Sequence, residues 1–106
     1  MDFDEFQKLA MRTANFDNDN QLINAALGLV GEAGEFADLV KKVHFQGHEL
    51  DKEALKGELG DVLWYVALAC EDLGFEMSEV GRYNIEKLRR RYPEGFSAFD
   101  SIFRED

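Results

Sequence analysis

Between Gln21 and Gly74 the apolar residues recur every three or four positions in two long runs, separated only by a short polar stretch around Gly47. The first run carries Leu22, Ile23, Ala26, Leu27, Val30, Ala33, Ala37, Val40 and Val43, and the second Leu55, Leu59, Val62, Val66, Ala69 and Leu73. That spacing is the period of an α-helix and excludes a half-buried strand, which alternates in twos. Lys41, Lys42 and His44 stand where a helix dipole favours positive charge, and Gly47 is the expected stop. Asp51 is placed to cap the second run, and Gly74 to end it.

The flanks read in the same way. Phe6, Leu9 and Ala10, with Phe3 one turn earlier, predict a short first helix over residues 4–12. Residues 15–20 are Asn, Asp and one Phe, and read as a loop. Ser78 is placed to cap a fourth helix through Val80, Ile85 and Leu88, which ends before Pro93. The tail from Glu94 to Asp106 holds Phe96, Phe99, Ile102 and Phe103, so it is expected to pack on something. The expected fold is all-α, a four-helix bundle with a short C-terminal tail, forming a single domain over 1–106.

Each long run is interrupted by a pair of acids. Glu32 and Glu35 are three apart, as are Glu58 and Asp61. At ~100° per residue, such pairs lie on one helix face. They border the apolar stripes instead of opposing them, where burial is costly unless the charge is paired or bound to a cation. If the two helices pack antiparallel, the four carboxylates converge, and hard oxygen donors of that kind suit Mg²⁺ or Mn²⁺. The competing reading is chance, since 22 acids in 106 residues place some such pairs on exposed helices. The glycines favour the metal. Gly28, Gly31, Gly34, Gly57 and Gly60 surround the pairs, and each mid-helix glycine costs ~1 kcal/mol against alanine, so close approach of a ligand or another helix is expected.

On the fourth helix Asn84, Lys87 and Arg91 share a face, and the two cations suit phosphate oxygens. A solvated basic helix end is the plainer reading, and it fits Arg89 and Arg90. His44 and His48 complete no Glu-x-x-His signature, which disfavours a di-iron bundle. Cys70 reads as a packing residue, as do Trp64, with base stacking the lesser alternative, and Phe3, Phe6 and Phe16, which could instead border a base pocket. The formal charge of −10 argues against nucleic-acid polymers and anionic membranes as partners. A single cysteine allows no intrachain disulfide, no apolar run approaches ~20 residues, and the first residues are acidic, so a cytoplasmic protein is expected.

Residues 28–96 resemble the MazG-like, all-α nucleoside triphosphate pyrophosphatases. The family's E-x2-E motif is matched by Glu32 and Glu35, and its E-x2-D by Glu58 and Asp61, with a spacer of 22 residues. The run Asn84-Ile85-Glu86-Lys87-Leu88-Arg89-Arg90-Arg91-Tyr92-Pro93 is similar to the family's N-x2-K-L-x2-R-Y-P element. The resemblance implies metal-dependent hydrolysis of a nucleoside or deoxynucleoside triphosphate between the α- and β-phosphates. It makes Glu32, Glu35, Glu58 and Asp61 the metal ligands and catalytic acids, and assigns Lys87 and Arg91 to the outer phosphates. Tyr65, one turn after Asp61, shares its face and suits a phosphate or the core equally. A phosphoribosyl-ATP pyrophosphohydrolase and a non-catalytic helical interaction module are the alternatives. A homodimer or homotetramer is expected, because the apolar residues of the second helix spread beyond one stripe and a short chain has little interior to hide them.

Overall fold

The structure is a computed structural model that describes residues 1–104; Glu105 and Asp106, at the end of the expected tail, lie outside the described residues. Asp2 accepts the N–H of Glu5 at 2.8 Å and so starts α1, Phe3–Ala10, which continues into a 3-10 turn over Met11–Thr13. In the following loop Asn15 and Asn18 accept the N–H groups of Asp17 and Asn20 at 3.0 and 2.7 Å. Such local bonds are why these residues favour turns.

α2 spans Gln21–Phe45 and α3 spans Lys52–Leu73. Asp51 caps α3 by accepting the N–H of Ala54 at 3.1 Å. Gly47 and Gly74 adopt φ of +71° and +80°, and beyond them His48 and Phe75 donate back to Lys42 and Cys70 at 3.1 and 2.8 Å. Only glycine reaches that left-handed backbone without a Cβ penalty.

The fourth helix departs from expectation at its start. α4 spans Met77–Arg91 and is capped by Glu76, whose N–H donates to Glu79 Oε1 at 3.0 Å. Ser78 is occupied elsewhere: its N–H and hydroxyl both donate to Asp4 of α1, at 3.0 and 2.7 Å. These bonds hold the Asp4 carboxyl below its ordinary pKa. The tail contains a fifth, short helix that its apolar residues did not disclose. This is α5, Ala98–Ile102, started by Ser97 Oγ, which accepts the N–H of Asp100 at 3.2 Å. Among the described residues there is no strand, so the all-α class with four substantial helices is as expected.

α2 and α3 pack along their length, and α1 crosses α3 and the beginning of α4. Ala25, Ala67, Leu68, Cys70, Met11 and Met77 are buried where these elements meet, with Phe6, Trp64, Tyr65 and Val66 against them. Two polar side chains are buried among the described residues, Gln21 under the loop before α2 and Gln7 on α1. Gln7 Nε2 donates to Glu71 Oε2 and to the Phe75 carbonyl, both at 2.9 Å, while its Oε1 accepts the N–H of Met77 at 2.7 Å. Gln7 thereby ties α1 to the end of α3 and the start of α4.

The rest of the chain is open. Its radius of gyration is 16.9 Å, against about 13 Å for a compact domain of this length. α2 is apolar on two opposite faces. Ala25, Leu29, Phe36, Leu39 and Val43 turn inward, while Ile23, Leu27 and Val30 are exposed, the last two by 71% and 72%. The tail does not cover them. Tyr92 stacks on Phe96 and Phe99 on Phe103, with ring centroids 5.5 and 4.7 Å apart, and Phe96 remains 81% exposed.

Candidate metal centre

The pairing of α2 with α3 converts two sequence motifs into one place. Glu32, Glu58 and Asp61 each present a carboxylate oxygen, and these atoms lie within 4.8 Å of one another. Glu32 Oε2 and Glu58 Oε2 are buried with no hydrogen-bond partner. Leaving two acceptors unsatisfied is costly, and doing so with carboxylates more so. Glu58 is pushed up to about 7, first by the Glu32 carboxylate beside it, then through burial, and then because Glu35 lies near. Glu35 is exposed, as Asp61 is, and stands outside the tight group of three.

Uncompensated oxygens converging in this way fit a hard divalent cation, which would relieve the repulsion and satisfy both orphans. Glu32 and Asp61 also line a cavity of about 320 Å³ together with Trp64 and Tyr65. Tyr65 therefore stands beside the acids, as its place one turn after Asp61 suggested. Trp64 is pinned by its indole N–H, which donates to the Ala10 carbonyl at 3.1 Å and to Thr13 Oγ1 at 2.9 Å. The two rings meet edge to face, 5.0 Å apart at 82°.

The basic stripe is not part of this cavity. α4 is fastened to α1 at its first turns, through Met77, Ser78 and Gly81, and touches α3 far less than α2 does. Asn84 borders a cleft with Phe3, Arg82 and Arg89, while Arg91 borders another with Arg90, Phe99, Phe103 and Arg104. Lys87 is half-buried between them on the same helix.

A family model described as the MazG nucleotide pyrophosphohydrolase domain matches residues 21–96, which hold α2, α3, α4 and every acid above. The chain belongs to this MazG family. The gene 37 protein of Mycobacterium phage L5 is 36% identical over 105 residues, covering 90% of this chain and 92% of that one. No solved structure matches. The family is one of nucleotide pyrophosphohydrolases that work with divalent metal, and the acidic cluster lies where its MazG match lies. Among the described residues no helix is long and apolar enough to cross a membrane.

Two structural residues of this MazG chain, one in the core and one beside the centre, were not singled out from the sequence. Gln7 falls at helical spacing with Phe3, Phe6 and Ala10, so a polar residue on an apolar stripe was the available signal. Gly28 was noted only as one glycine of five. A Cβ there would stand 2.5 Å from Tyr65 Cδ1 and closer still to Cε1 and Cζ, whereas at Gly31, Gly34, Gly57 and Gly60 it would meet nothing within 4 Å. Within the chain, the expected close approach is met at Gly28 alone.

Proposed function

We propose that this protein hydrolyses a nucleoside or deoxynucleoside triphosphate between the α- and β-phosphates, giving the monophosphate and pyrophosphate. The observation that carries the reading is the pair of orphaned oxygens on Glu32 and Glu58 beside Asp61. Glu32, Glu35, Glu58 and Asp61 are the ligands for Mg²⁺, or for Mn²⁺ in its place. A bound cation supplies charge neutralisation and lowers the pKa of attacking water. The carboxylates hold it and take up the proton that the water loses. Tyr65 contacts the nucleotide from the cavity wall. Asn84, Lys87 and Arg91 bind the outer phosphates, where fixed cations stabilise developing charge.

That last assignment requires a second copy, because α4 does not carry its stripe to the acids of its own chain. The accessible surface is 8130 Å², whereas a compact monomer of this mass exposes roughly 6,000 Å². The excess, about 2,000 Å² per chain, is of the size obligate interfaces bury. A homodimer or homotetramer in the cytoplasm is therefore part of the proposal, with a small-molecule nucleotide as the other partner.

The test is pyrophosphate release from a nucleotide panel that includes phosphoribosyl-ATP, with Mg²⁺ and with EDTA. In ¹⁸O-labelled water the label is expected on the monophosphate. Orthophosphate release, label in pyrophosphate, or undiminished turnover in EDTA would each refute the reading.

A further inference from the structure

Gly28 and Tyr65 stand one helical turn from the acids on their respective helices, Gly28 before Glu32 and Tyr65 after Asp61. The Tyr65 ring occupies the space that any side chain at 28 would need. The ring also meets Trp64 edge to face, and Trp64 cannot yield without breaking its bonds to Ala10 and Thr13. The ring thus meets both a bare stretch of helix and a pinned indole, and with the indole it lines the cavity of Glu32 and Asp61.

We infer that Gly28 is a positioning residue: its missing side chain seats Tyr65 against α2, and this seat sets how tightly the nucleotide is held. The inference rests on the proposed function for its ligand, but the seat itself is a property of the fold. The other four glycines offer no such reason, since the space beside them is open. Helix propensity runs the other way, because alanine at 28 is the better helix former. A loss on Gly28→Ala therefore reports the displaced ring and not a weakened helix.

The experiment is a double-mutant cycle on the full chain with Gly28→Ala and Tyr65→Ala. The readouts are steady-state kinetics, Mg²⁺-induced change in melting temperature, and emission of Trp64, the chain's single tryptophan. Gly28→Ala is expected to raise KM at least about fivefold with kcat nearly unchanged, and to shift Trp64 emission, while the Mg²⁺ effect persists. In the Tyr65→Ala background the same change is expected to do nothing further, because the obstructing ring is gone. An unaltered KM and emission in Gly28→Ala would overturn the inference, as would an equal rise in KM without Tyr65. If the wild type hydrolysed no nucleotide, the proposed function would fail, yet Trp64 emission across the cycle would still decide whether Gly28 seats Tyr65.

Discussion

Leu27 lies on the outer face of α2, opposite the packing against α3, and is 71% exposed. If that face meets a second copy, truncating Leu27 to alanine removes three carbons from the interface. At ~0.8 kcal/mol per buried CH₂, and counting only the part now exposed, the loss is roughly 1.7 kcal/mol per copy. A two-fold interface uses the residue twice, so the dimer loses about 3.4 kcal/mol, a dissociation constant about 300-fold weaker. On a monomer the same substitution is a surface change worth within about 0.5 kcal/mol. Sedimentation equilibrium or light scattering across a concentration series separates the two cases. Wild type is expected at two or four times 12.1 kDa, and Leu27→Ala is expected to dissociate at correspondingly higher concentration. A 12.1 kDa wild type with full activity at micromolar concentration would refute the reasoning. An unchanged assembly in Leu27→Ala would move the interface away from this face.

Three other outcomes follow from the geometry. Glu58 has a folded pKa of about 7 against an ordinary 4.5, so its contribution to metal-free stability is full below 4.5 and lost as pH rises through 7. Melting in EDTA should accordingly fall between pH 5 and 8, and Glu58→Gln should flatten that slope; a parallel slope in the variant would contradict the assignment. Asp61→Asn should keep its helical circular dichroism while losing at least about a hundredfold in kcat/KM and its Mg²⁺-induced stabilisation, because it removes a charged ligand. Gln7→Leu leaves the buried N–H of Met77 without its partner, while the Phe75 carbonyl and the exposed Glu71 carboxylate turn to water, and should cost about 1–3 kcal/mol in urea unfolding. A cost below 1 kcal/mol would mean that water replaces the amide.

The helices were legible because their signals are local. A 3.6-residue period, an aspartate at Asp51 and glycines at 47 and 74 act within a turn of where they stand, and the structure keeps each. The exceptions arise where a distant partner competes. Ser78 is a good cap by local chemistry, yet Asp4 binds its hydroxyl and N–H, and Glu76 starts the helix instead. α5 begins at Ser97 in a tail whose few apolar residues are too short a series to define a period. The acids were readable in the same way, because a costly residue on an apolar stripe needs a reason wherever it occurs.

By itself, then, the sequence determined the all-α class, the two long helices and the faces on which four carboxylates stand, since each is set by neighbours within about one helical turn. Tertiary structure decided which acids meet. It drew Glu32, Glu58 and Asp61 within 4.8 Å of one another and set Glu35 outside that group, beside Glu58, a distinction two equal i, i+3 pairs do not contain. It also decided that Tyr65 lies across Gly28, that Trp64 spends its N–H on α1, and that α4 leaves with its basic stripe. The physical reason is the same in each case: helix spacing determines direction from an axis, but only the packing of one axis against another determines distance.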